Sequence, residues 1–263
     1  MVIIQYFFIL VREISLYRKK LTDMITKNLL LSVFLGSLLI GCSEKKTEAK
    51  QETENLAPCN IEVGNVKFSY AKNGAVNGVS VLNDTLKFVA GAKTDYFHSP
   101  DGNFTDSSPV LFAEIDNTKP FTFTAKVEPK FTSTGTYSAG VIYVYENADL
   151  CQKLCFEQDE FGDHRVVTVR TIGTSDDNNH QVIKGPFVYL RYSSDGKQIG
   201  SFFSEDGKTW RMARLYKNAY PPKILLGISS QSPKDNEHTC FFSEIEIENK
   251  AVVDFRNGKL ENE

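Results

Sequence analysis

Two short stretches concentrate side chains able to do chemistry. In Lys153-Leu154-Cys155-Phe156-Glu157, apolar Leu154 and Phe156 alternate with an ammonium, a thiol and a carboxylate. If the apolar pair faces a core, strand geometry turns Lys153, Cys155 and Glu157 together to the opposite face. Val188-Tyr189-Leu190-Arg191 repeats the pattern and turns Tyr189 and Arg191 outward. A cation, a carboxylate and an aromatic ring on one surface suit the gripping of a polar ligand by charged hydrogen bonds and stacking. An ordinary solvated sheet with Lys153–Glu157 or Arg191–Glu157 pairs fits the same spacing.

Glu157-Gln158-Asp159-Glu160 brings carboxyls together, and glycoside hydrolysis needs two of them a defined distance apart. Some sandwich-fold glucanases place them as E-x-D-x-E on one strand. Here Phe161 stands where the last Glu would be, and Glu160 would point opposite to Glu157, so that spacing fails. Glu244, Glu246 and Glu248 share a face, but their alternation with Ile reads as a solvated strand. Thr174-Ser175-Asp176-Asp177-Asn178-Asn179-His180 offers oxygens to Ca²⁺ but lacks the Gly and terminal Glu of an EF-hand loop. A plain polar loop is expected there, with no metal or other cofactor. Ser204-Glu205-Asp206-Gly207-Lys208-Thr209-Trp210 is similar to the Asp-box turn of sialidase propellers, yet it occurs once and reads as a hairpin. The four His sit beside turn-like residues, and no nucleophile elbow, P-loop or dinucleotide fingerprint accompanies them.

The elements that must position these groups are strands. The chain has 263 residues, with 30 Lys+Arg against 33 Asp+Glu, and no long basic run points to nucleic acid. Nineteen Phe and eleven Tyr lean towards β structure. Phe121-Thr122-Phe123-Thr124-Ala125-Lys126-Val127-Glu128 alternates cleanly, as does Ser243-Glu244-Ile245-Glu246-Ile247-Glu248. Between them the pattern predicts strands over 140–145, 153–158, 165–170, 188–192, 199–204 and 223–229, with turns at Asp195-Gly196 and Asp206-Gly207. No comparable stretch has helical spacing with caps. An all-β sandwich or barrel follows, as one domain over 61–263.

The front of the chain carries an address. Leu39-Ile40-Gly41-Cys42 closes a run that is uncharged from Leu29 onward, the length of a signal-peptide core. It resembles the lipobox of bacterial lipoproteins. That resemblance implies lipid on Cys42, loss of residues 1–41 and, with Ser43 next, a place in the cell envelope at the outer membrane. Residues 1–23 add a second apolar stretch and Arg18-Lys19-Lys20, so a start at Met24 gives the more compact leader. Residues 42–60 read as the lipidated Cys and a flexible tether. The remaining 222 residues hold 25 basic and 31 acidic side chains, a net −6, so the lipid and not charge would provide the anchor. Four further cysteines permit three full pairings. Cys151 and Cys155 on one strand would lie about 13 Å apart, beyond disulfide reach. A Cys59–Cys240 bridge between the ends of the domain stays open.

Seen in order, Thr94-Asp95-Tyr96-Phe97, Phe121–Val127, Lys153–Glu157, Val166-Val167-Thr168, Val188–Arg191, Phe202–Trp210 and Gly227-Ile228-Ser229-Ser230-Gln231-Ser232-Pro233 resemble one family. It is the set of uncharacterised proteins sometimes labelled "regulation of enolase", similar to the C-terminal domain of family 43 β-xylosidases. The resemblance implies a concanavalin A-like jelly-roll β-sandwich of two antiparallel sheets with a concave face, and no established reaction. Cys151 stands where the family commonly has Trp.

Adding Asp95, Tyr143 and Gln231 to Lys153, Glu157, Tyr189 and Arg191 gives a constellation suited to sugar hydroxyls. The expected function is a lipid-anchored carbohydrate-binding module, with an oligosaccharide or glycoside as partner and no catalysis of its own. Two alternatives are a hydrolase or lyase using Asp95 and Glu157, and a structural lipoprotein that binds a protein partner.

Overall fold

A computed structural model describes residues 56–261. Cys42, the apolar run before it and positions 43–55 of the expected tether lie outside the described residues. The strands are β1 (Ala57–Val63), β2 (Val66–Lys72), β3 (Val79–Leu82), β4 (Thr85–Gly91), β5 (Tyr96–His98), β6 (Phe104–Asp106), β7 (Val110–Asp116), β8 (Phe121–Pro129) and β9 (Ala139–Asn147). They continue as β10 (Leu150–Gln158), β11 (His164–Ile172), β12 (Thr174–Val182), β13 (Val188–Ser194), β14 (Gln198–Ser204), β15 (Arg211–Lys217), β16 (Lys223–Gln231) and β17 (Glu237–Glu248). The helical content among the described residues is one 3-10 turn, Ala75–Gly78.

Two large antiparallel sheets make a sandwich, the concanavalin A-like jelly roll that the sequence implied. The first runs β1-β2-β7-β16-β9-β10-β11-β12, the second β15-β14-β13-β8-β17-β4-β3. Alternation decides what each strand buries. On β8, Phe121, Phe123, Ala125 and Val127 enter the space between the sheets, where Leu154 and Phe156 of β10 and Val188 and Leu190 of β13 meet them. Gly140 of β9 lets the sheets approach, since a Cβ there would stand 2.4 Å from Cys240 Sγ and from Val127 Cγ1. The two hairpin turns lie where Asp195-Gly196 joins β13 to β14 and Asp206-Gly207 joins β14 to β15, each glycine with positive φ.

Three expectations change. Thr174–His180 is part of β12 and not a loop; as the outermost strand of its sheet it has little apolar surface to bury, which leaves no alternation to read. β1 begins at Ala57, so Ala57–Asn60 join the sandwich rather than the tether. Cys59 and Cys240 are free thiols, as are Cys151 and Cys155. Cys59 donates to Phe68 O at 3.4 Å within its own sheet, whereas Cys240 is buried on β17 of the opposite sheet.

The outer face of the eight-stranded sheet is not bare. The β5–β6 hairpin lies over it, with Tyr96 edge-on to Tyr143 (centroids 6.4 Å apart) and its hydroxyl donating to Ala148 O. A second, smaller core forms there from Tyr96, Phe112, Tyr143, Tyr145, Cys151 and Cys155. Lys72 is buried beneath the hairpin and pairs with Asp106 at 2.7 Å and with the Tyr145 hydroxyl at 2.8 Å.

Candidate binding cleft

Beside the hairpin the outer face opens into a cleft of about 780 Å³. Strand periodicity puts Lys153 and Glu157 in its floor, two residues either side of Cys155 on β10. Val167 and Val169 of β11 continue the floor, and Asp177 and Asn179 of β12 form one wall. Phe97 and Thr105 of the hairpin form another. Lys93, Asp95, Gln231 and Lys234 close the far side, where Thr94 and Ser232 form an isolated antiparallel bridge.

Lys153 is 2 % exposed. Its ammonium donates to Tyr96 O at 2.7 Å and Gln231 Oε1 at 3.2 Å, and Asp95 Oδ1 lies 3.7 Å away. Burial opposes its charge, but Asp95, Cys155 and Glu157 outweigh that and raise its pKa above the ordinary lysine value. Asp95 is in turn fixed by the Tyr96 N–H, 2.7 Å from its carboxylate.

Glu157 is 9 % exposed, and among the described residues no group hydrogen-bonds or ion-pairs with its carboxyl. Burial pushes that carboxyl up to about 8; Lys153 opposes the rise, while Asp177, Asp95 and Asp159 add to it. At neutral pH Glu157 is therefore mostly protonated and presents an O–H donor to the cleft. Asp177 also lacks a hydrogen-bonding partner among the described residues, and its pKa is raised, first by the desolvation it does experience.

The rim carries Tyr137, which the sequence reading missed. Its φ of 64° is left-handed, unusual for a bulky residue. The backbone is held there by its N–H donating to Gln158 O at 2.7 Å and its carbonyl accepting from Gln231 Nε2 at 3.2 Å. Tyr137 is 37 % exposed, beside Glu160. The one sequence hint is an aromatic placed in the turn-forming stretch Gly135-Thr136-Tyr137-Ser138.

The seven residues grouped from the sequence do not share one surface. Asp95, Lys153, Glu157 and Gln231 meet in the cleft. Tyr143 lies on the same side of the sheet but is buried under Tyr96. Tyr189 and Arg191 belong to β13 of the other sheet and point out from its far side. There Arg191 lies 3.7 Å over the Trp210 ring and donates to Gly258 O, and Tyr189 donates to Glu244 at 3.1 Å. Alternation fixes which residues of one strand share a face, but two strands of different sheets both have outward faces, and those faces are opposite. Glu244, Glu246 and Glu248 line that same distant hollow. Among the described residues no three His, Cys, Asp or Glu side chains group so as to hold a metal ion.

The model of the family described as "Protein of unknown function (DUF1349)" matches residues 76–250. The sequence matches no curated protein. Among solved structures, the chain is similar to a functionally unknown protein from Saccharomyces cerevisiae, with 23% identity, a TM-score of 0.61, and coverage of 68% of this chain and 95% of that one. It is also similar to the GH43 BlXynB protein from Bacillus licheniformis, with 13% identity and a TM-score of 0.52 over 66% of this chain and 35% of that one. The GH43B protein of the Bacteroides ovatus xyloglucan PUL gives 12% identity and a TM-score of 0.52 over 71% and 37%. The chain thus spans about a third of each GH43 protein, and at these identities the likeness is one of fold.

Proposed function

The chain belongs to the DUF1349 family, and from that premise we propose that it binds a carbohydrate in the cleft around Glu157, held to the cell envelope by lipid on Cys42. The observation that carries this reading is the make-up of the cleft. Its volume of about 780 Å³ suits a short oligosaccharide or glycoside. Sugars present C–H faces and hydroxyl edges; Tyr137 and Phe97 offer rings to the first. Protonated Glu157, Asp95, Gln231 and Asn179 offer donors and acceptors to the second. The β-sandwich domains of GH43 proteins, similar in fold, agree with a carbohydrate ligand.

An affinity gel or glycan array with the purified full chain tests the reading. Wild type and Tyr189→Phe, altered on the far sheet, should be retained alike, and Tyr137→Ala should lose retention. Failure of every glycan to bind, or loss in Tyr189→Phe alone, would contradict it. The anchor is tested by detergent-phase partitioning. Wild type should enter the detergent phase, and Cys42→Ser, which has no thiol for the thioether, should accumulate as precursor. Equal partitioning and equal mass would remove the lipid.

A second reading, hydrolysis or elimination at a small glycoside, draws on two carboxyls of one cleft in unlike environments. Glu157 holds a proton at neutral pH, and Asp95 sits 3.7 Å from the Lys153 ammonium. That division suits an acid and a base. Aryl-glycoside turnover that disappears in Glu157→Gln would favour this reading over binding alone.

A further inference from the structure

Resting on the carbohydrate reading, we infer that the ligand carries a protonated amine, so that an amino sugar fits the cleft better than a neutral or a uronic-acid unit. The charges of the site decide this. The one cation in the floor, Lys153, donates to Tyr96 O and Gln231 Oε1 and faces the Asp95 carboxylate at 3.7 Å, which balances its charge. Its charge is already matched by a carboxylate of the protein and is not free for one on a sugar. Lys93 and Lys234 stand across the cleft, beside the Thr94–Ser232 bridge.

The carboxyls are the opposite case. Glu157 is 91 % buried, lines the cleft and has no partner among the described residues. It is faced by Lys153 and Cys155 on its own strand, Asp177 on β12, Asp95 before β5, and Asp159 in the β10–β11 turn. Lys153 is the one cation in that set, and it is shared with Asp95; Arg165, in register with Glu157 on β11, is held by Asp159 at 2.6 Å. Asp177 stands open to the same space without a partner, and Glu160 lies on the rim next to Tyr137. A buried carboxyl in this setting needs either a proton or a cation. An ammonium on the ligand supplies the cation, and the Tyr137 ring adds a π face beside it. On binding, Glu157 gives up its proton to solvent and the ligand ammonium pairs with the carboxylate left behind, so charge and atoms balance.

The test compares a short β-linked glucosamine oligosaccharide with its N-acetylated counterpart and a uronic-acid oligosaccharide, by titration calorimetry at mildly acidic pH, where the ligand amines are charged and Glu157 still holds its proton. Buffers of different ionisation enthalpy read the proton. The glucosamine compound should bind roughly 10- to 100-fold more tightly, the range of one charged hydrogen bond. Up to about one proton should leave per ligand bound, as the protonated fraction of Glu157 dictates. Glu157→Gln keeps size and hydrogen bonding but not charge. It should erase both the preference and the proton release, so that the glucosamine and N-acetylated compounds bind alike. Equal affinities without proton release, or a preference for the uronic acid, would overturn the inference while leaving carbohydrate binding intact. No binding by any of the three would count instead against the carbohydrate reading.

Discussion

Glu157→Gln should make the protein more stable at alkaline pH, and by an amount that depends on pH. In the unfolded chain this carboxyl titrates near 4.5, and in the fold it titrates at about 8. Between those values the folded state holds a proton that the unfolded state has released. Stability therefore falls as pH rises through that window, by about 1.4 kcal/mol per unit. Over the whole window the loss is on the order of 5 kcal/mol. Gln resembles the protonated acid and does not titrate. Near pH 4.5 the two proteins should agree to within about 1 kcal/mol, and above pH 8 the variant should be ahead by several. Urea unfolding at half-unit pH steps reads the difference through Trp210, the sole tryptophan, which is buried in the fold. A wild type–variant difference that is constant across pH would refute the reasoning, because the buried carboxyl would then ionise as it does in water.

Three further outcomes are expected. His238 is 2 % exposed and its pKa is pushed down to about 4, chiefly by burial, so stability should be lost as pH falls from 6.5 towards 4. This opposes the Glu157 effect in part of the same window, so His238→Gln, which removes the acid limb, must be compared with wild type at each pH by urea unfolding. Gly140→Ala would press a methyl into Cys240 and Val127 across the sandwich and should lower the melting temperature by roughly 3–10 °C in a thermal scan. The four thiols Cys59, Cys151, Cys155 and Cys240 are unpaired, so unreduced, denatured Cys42→Ser protein should titrate four thiols with a disulfide reagent; two or none would show a bridge.

The strands of the sandwich were readable wherever one face meets the core, as on β8, where Phe121, Phe123, Ala125 and Val127 mark it. β12 was not, because an edge strand whose exposed residues are Asp176, Asp177, Asn178 and Asn179 leaves no alternation to detect. The site was readable strand by strand. Lys153 and Glu157 share a face as their spacing requires, but the β5–β6 hairpin packs on that face, and in place of a solvated ion pair the fold holds a buried carboxyl and an ammonium engaged by Tyr96 O, Gln231 and Asp95. Which sheet a strand joins is set by pairings distant in sequence, such as β13 with β8. Local alternation holds no trace of them, and so it groups Tyr189 and Arg191 with side chains that lie on the far side of the molecule.

Hydrogen–deuterium exchange with and without a bound oligosaccharide tests the central claim most directly, because it reports which face the ligand covers. The account predicts slowed exchange in peptides containing Tyr137, Lys153–Glu160, Asp177–Asn179 and Gln231–Lys234, the walls and floor of the cleft. Exchange around Tyr189–Arg191, Trp210 and Glu244–Glu248 should not change. Protection confined to that second set, with none at Glu157 or Tyr137, would contradict it.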